Sequence, residues 1–103
     1  MTWTTGGILT NPATDAIVAD TGAYVGGQTQ ITAVIASTVA SILIVEHRNA
    51  ANTANINSQA VIVSANETYV LQIPGVSLAP NERFRVRLFA GITGSLQASL
   101  FYF

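Results

Sequence analysis

The sequence predicts an all-β fold, a single antiparallel β-sandwich or jelly-roll-like barrel of about seven strands. Three observations predict it. Val, Ile and Thr are abundant while Lys is absent and Glu and Met are scarce, a composition that favours strands over helices. Short apolar runs alternate with polar positions at a period of two. Gly, Pro and Asn interrupt these runs at short intervals, with no helical pattern between them. A chain of 103 residues is one domain by size, with room for a single core.

The elements follow in order. The first strand is expected over 16–20, Ala-Ile-Val-Ala-Asp, closed by Gly22. The second covers 28–36 and opens after Gly26-Gly27; the third covers 40–48 and closes on Glu46-His47-Arg48. Both draw on the uncharged run 31–45, whose 15 residues fall short of the roughly 18 to 20 that span a bilayer. Thr32, Ser37, Thr38 and Ser41 interrupt that run, so it reads as two strands, although its break at 37–39 has neither Gly nor Pro. The Asn-rich stretch 49–57 is expected as a surface loop. Strands over 59–64 and 69–73 are bounded by Asn66 and by Pro74-Gly75. The sixth, 83–90, follows Pro80-Asn81, and the seventh, 95–103, follows Gly91 and Gly94. The first 13 residues, rich in Thr and Gly, are expected as a flexible amino-terminal arm on a sandwich domain of 14–103. They show no basic region followed by a hydrophobic segment and do not read as a secretory signal.

Composition argues against several functions. Without Cys there are no disulfides, no thiolate chemistry and no Cys-ligated zinc or iron–sulfur site. A net charge of −1 supplies no global field for nucleic acid or an anionic membrane. One His and five scattered carboxylates lack metal-ligand spacing, and Gly6-Gly7 and Gly26-Gly27 are turns rather than phosphate loops, so neither metal nor cofactor is expected. The seven Ser residues lie in no Gly-x-Ser-x-Gly elbow. Alternation puts Glu46 and Arg48 on one face and His47 on the other, which disfavours an in-strand acid/base pair. The sequence points away from an enzyme. Asn66-Glu67-Thr68 fits the glycosylation tripeptide, a pattern that arises readily by chance.

The informative segment is 83–89. Arg83, Arg85 and Arg87 are three of the four basic residues and occupy alternate positions, roughly 6.5 to 7 Å apart along a strand. They could form an ordinary solvent face paired with Glu82, Glu46 or Glu67, or dock a protein partner through bidentate bonds. Nucleic acid is disfavoured, since a binder would show a wider basic surface. Phe84, Val86 and Leu88 oppose the arginines; on the last strand Leu96, Ala98, Leu100 and Tyr102 oppose Phe101 and Phe103. If the two strands form a hairpin through Gly91-Ile92-Thr93, Val86 pairs with Ala98 and Arg87 with Gln97. Phe89, Phe101 and Phe103 then flank the arginines. The candidate protein interface is Arg83, Arg85, Arg87, Phe89, Phe101 and Phe103, together with Trp3 in the arm.

A Thr/Ala/Val-rich, Cys-free chain with an amino arm and the strands Phe84-Arg85-Val86-Arg87-Leu88-Phe89 and Ser95-Leu96-Gln97-Ala98-Ser99-Leu100 resembles the head decoration or cement proteins of tailed bacteriophage virions. The resemblance implies a non-enzymatic structural protein of the virion, assembled in the host cytoplasm. It implies a homodimer or homotrimer that stabilises the shell by binding the major capsid protein, away from membranes. The alternative is a carbohydrate-binding, lectin-like module using Trp3, Tyr24, Tyr69 and the Asn-rich loop.

Overall fold

The computed structural model describes residues 2–23 and 27–102, without the side chains of 2, 3, 27–29 and 74–77. The chain is an all-β sandwich of two antiparallel sheets. Nine strands are present among the described residues: β1 (Thr2–Thr5), β2 (Leu9–Thr10), β3 (Ile17–Asp20), β4 (Gly27–Ser37), β5 (Ser41–Arg48), β6 (Asn55–Val63), β7 (Glu67–Leu78), β8 (Arg83–Leu88) and β9 (Ser95–Tyr102). The first sheet has the order β1-β9-β4-β7, with β2 also on β9; the second has the order β3-β8-β5-β6.

This order is a long hairpin rolled up on itself. β5 pairs with β6 at the tip, β4 with β7, β3 with β8, and β1 and β2 with β9, each successive pair falling in the opposite sheet. Rolling adds the lateral pairs β4 with β9 and β5 with β8, which complete a jelly roll. The expected β-sandwich is thus observed, its strands wound in jelly-roll order. All seven expected strands are present, but two exceed their expected bounds: β6 takes in residues 55–57 of the stretch expected as a loop, and β7 runs through Pro74-Gly75 to Leu78. β1 and β2 are additional: parts of the segment assigned to the arm pair along the edge of the first sheet.

The hairpin expected between the last two strands does not form. β8 lies between β3 and β5, and β9 lies between β1 and β4 in the other sheet, so Val86 does not pair with Ala98 nor Arg87 with Gln97. The parity holds for a different reason. Phe84, Val86 and Leu88 face the core from one sheet, and Leu96, Ala98, Leu100 and Tyr102 face it from the other. Residues 89–94 carry the chain across the sandwich rather than back along it.

Ile31, Ala33 and Ile35 of β4 and Leu43 and Val45 of β5 fill the centre, with essentially no exposure. Between them the corner at 38–40 turns without Gly or Pro because two buried serines hold it. Ser37 Oγ and Ser41 Oγ lie 2.8 Å apart and donate to the Val39 carbonyl at 2.7 and 2.9 Å. The backbone at this sharp crossing is thereby satisfied internally. On the opposite side Gly6 sits where the amino-terminal segment passes over β3. A Cβ there would lie 1.8 Å from the Val18 carbonyl oxygen, so glycine is required for the approach.

Candidate functional site

Alternation fixes what the second sheet shows to solvent. On β8 the core takes Phe84, Val86 and Leu88, which leaves Arg83, Arg85 and Arg87 outside. On β5 the core takes Leu43 and Val45, which leaves Ile42, Ile44, Glu46 and Arg48 outside. Register then orders the outer face in rows across the strands. One row is Asp20, Arg85, Glu46 and Ser58; the next is Ile17, Arg87, Ile44 and Ala60. A third consists of Phe89, Ile42 and Ile62, since the Phe89 N–H donates to the Ile42 carbonyl at 2.9 Å and Ile42 pairs with Ile62.

The first two rows share an ion network centred on Glu46, which is only 1% exposed. Its carboxylate accepts from Arg85 Nε at 2.6 Å, Asn55 Nδ2 at 2.7 Å and Arg87 Nε at 3.3 Å. Burial raises the Glu46 pKa, but the hydrogen bonds from Asn55 and Arg85 and the charges of Arg85 and Arg87 outweigh it and hold the carboxyl below its usual range. Arg87 also donates Nη1 to Asp15 Oδ1 at 2.6 Å, and Arg83 Nη1 lies 3.6 Å from Asp20 Oδ2. Burial lowers the Arg87 pKa, and the bond to Asp15 with the Glu46 charge more than restores it, so the group is held above its usual value. The arginine stripe is therefore ion-paired, with Glu46 as its principal partner. Arg48, the fourth cation, clamps the Asn-rich turn through Asn52 and Asn55.

The third row is apolar and open. Ile62 is 71% exposed and Phe89 54%, and Ile42 and Ile17 are exposed beside them. The face thus grades along the strands from paired charge to bare hydrocarbon. A contiguous patch of this kind, rimmed by polar groups, marks a site of contact.

The expected interface residues divide between two surfaces. Arg83, Arg85, Arg87 and Phe89 share the outer face of the second sheet. Phe101, partly buried, points to the outer face of the first sheet, in register with Thr32 and Trp3. Phe103 lies outside the described residues, as do Tyr24 and the Trp3 side chain. The single Arg and aromatic surface expected from sequence is corrected accordingly: isoleucines, not Phe101, complete it. Ile17, Ile42 and Ile62 were missed. For Ile42 the signal was the unbroken run Ile42-Leu43-Ile44-Val45, which in a two-layer sandwich must turn two of its four side chains outward.

His47 acquires a carboxylate from a distance. Its Nε2 lies 2.9 Å from Glu82 Oε1, and its ring stacks on Phe84 with centroids 5.0 Å apart. The Ala79 N–H donates to the same Glu82 oxygen at 2.9 Å, and these two bonds hold the Glu82 carboxyl below its usual pKa, the Ala79 bond first. The pair pins the 79–82 turn to β5. Nearby, a cleft of about 180 Å³ opens between Asn57, Ser58 and Gln59 of β6 and Val45, Ile73 and Phe84. Among the described residues no three His, Cys, Asp or Glu side chains come together as a metal site. In comparisons with known proteins, no family model and no curated protein matched the chain.

Proposed function

We propose that this chain is a structural module that works by protein–protein contact, and that the outer face of its second sheet is the docking surface. The setting we propose is the one the sequence resemblance implies, an accessory protein that binds the shell of a phage head and carries no catalytic activity. The apolar row Phe89, Ile42 and Ile62, lying open beside an already neutralised ion network, carries the reading. Isoleucines and an aromatic supply area that a partner can desolvate, and Arg87 at its margin can add directional bonds. Nucleic acid fits this face poorly: a phosphate would have to displace Glu46 or Asp15 from guanidinium groups they already bind. A jelly roll also hosts lectins. Against a sugar site, Phe84 beneath the 180 Å³ cleft is buried and presents no ring for stacking, and Tyr69 is partly buried against the core.

The test is incorporation. The chain is co-expressed with its neighbouring genes, and assembled particles are purified. It should be found in the particles at a fixed ratio, and Phe89→Ser and Ile62→Ser should each lower occupancy about tenfold with unchanged melting, the effect of losing ~1.4 kcal/mol. Particles that lack the chain, or that retain both variants fully, would refute the proposal.

A further inference from the structure

Among the described residues the two sheets leave four edges, at β1 with β2, at β7, at β3 and at β6. A free edge presents unpaired N–H and C=O groups, and proteins blunt such edges with short strands, charges, proline or bulges. Three of the four are blunted. β1 and β2 have four and two residues. β3 has four, with a register shift between Ile17 and Ala19 and an acid at each side, Asp15 and Asp20. β7 is long, but Glu67 opens it and Pro74 falls at its register shift. β6 differs. It has a register shift of its own at Ile56, near its start, but from Asn57 to Val63 it pairs with β5 without interruption, and its nine residues, Asn-Ile-Asn-Ser-Gln-Ala-Val-Ile-Val, include no charge, no proline and no glycine and leave Ile56 and Ile62 exposed.

We propose that this edge is taken by β6 of a second copy, running antiparallel about a two-fold axis at Gln59 and joining two second sheets into one of eight strands. The segment is self-complementary in that register. Full overlap sets Gln59 against its own copy, Ser58 against Ala60, Asn57 against Val61 and Ile56 against Ile62. Amide meets amide at the axis, the two exposed isoleucines cover each other, and no like charges meet. The backbone is consistent too, because the residues in direct register share a parity and the two outer faces stay on one side. A nine-residue strand is only ~30 Å long, which places this contact at the small end of interfaces and makes the dimer dependent on concentration. The edge shares Ile62 with the docking face but not Phe89 or Gln59, so substitutions at Phe89 and at Gln59 let either proposal fail alone.

The absence of cysteine makes the test direct. Opposed residues of an antiparallel pair have Cα atoms about 4.5 to 5.5 Å apart, within disulfide range. Gln59→Cys should therefore oxidise to a covalent dimer at concentrations where Thr53→Cys, exposed in the Asn-rich turn, stays monomeric. By sedimentation equilibrium the natural chain should rise from 10.8 kDa toward twice that mass. Gln59→Lys, melting normally, should shift the midpoint upward by about tenfold or more, and Phe89→Ser should leave it unchanged. A chain that stays at 10.8 kDa up to millimolar concentration overturns the inference. So do equal rates of cross-linking for the two cysteine variants, or association sensitive to Phe89→Ser and not to Gln59→Lys.

Discussion

Glu46→Gln removes one charge from the outer face and keeps the shape, and the structure sets the size of the effect. The carboxylate accepts three hydrogen bonds, two of them at 2.6 and 2.7 Å. A bond to a charged group contributes about 1.5 to 3 kcal/mol. Glutamine has a single acceptor oxygen, so it keeps one of the short bonds and turns an N–H toward groups that are themselves donors. Breaking a fully buried pair costs about 3 to 5 kcal/mol. Here Arg85 and Arg87 keep 16% and 24% of their side-chain surface in solvent, and Arg87 retains Asp15. Water recovers part of the loss, which leaves about 2 to 3 kcal/mol. For a chain of 103 residues, at about 2.1 cal/mol/K of unfolding entropy per residue, that is a fall of roughly 10 °C or more in Tm.

The same substitution has a pH signature. The Glu46 pKa is lowered in the folded chain, so its stabilisation is complete above the unfolded value near 4.5 and is lost as pH falls through the folded value. Glutamine does not titrate. Circular dichroism melts of the two proteins should differ most at neutral pH, and the difference should shrink as pH falls from the unfolded value near 4.5 through the lower folded one. A Tm difference under about 2 °C at pH 7, or one that widens as pH falls below the unfolded value near 4.5, would refute the network as a source of stability.

Two further predictions concern the sandwich itself. Gly6→Ala should cost about 1 to 3 kcal/mol and raise hydrogen exchange along β1, because its methyl group meets the Val18 carbonyl, while Gly7→Ala, with nothing within 4 Å, should be silent. Ser41→Ala should cost about 1 kcal/mol in urea unfolding, and adding Ser37→Ala should cost less than a second such increment, since the two hydroxyls share the Val39 carbonyl.

The strands were legible because each carries its own period. Leu43 and Val45 bury themselves whatever the rest of the chain does, and Gly, Pro and Asn mark most of the turns between strands. The crossing at 38–40 was legible only as a break, since its mechanism is a pair of serines four residues apart rather than a turn residue. β1 and β2 were not legible. Their Thr and Gly content matches an arm, and what makes them strands is the edge of β9, supplied by residues some ninety positions away. Sheet assignment failed for the same reason. Parity states that Val86 and Ala98 both face a core, and it is silent on whether they reach it from one sheet or from two.

That ambiguity separates the two halves of the surface expected from sequence. The arginines stay with Phe89 because it directly follows β8 in the chain, and contiguity survives any topology. Phe101 was joined to them only through the hairpin, and it left with the hairpin. The isoleucines that replace it come from β3, β5 and β6, and only the rolled pairing of β5 with both β6 and β8 brings Ile62, Ile42 and Phe89 into one row. The buried Glu46 has the same origin, because its three donors come from β8 and from the start of β6. Charge neutralisation and the apolar row are thus two results of one event, the placing of β5 between two strands that are distant from each other in the chain. A change that loosens β5 from β8 should expose arginines and scatter isoleucines together, so stability of the network and docking by the face should fall in parallel.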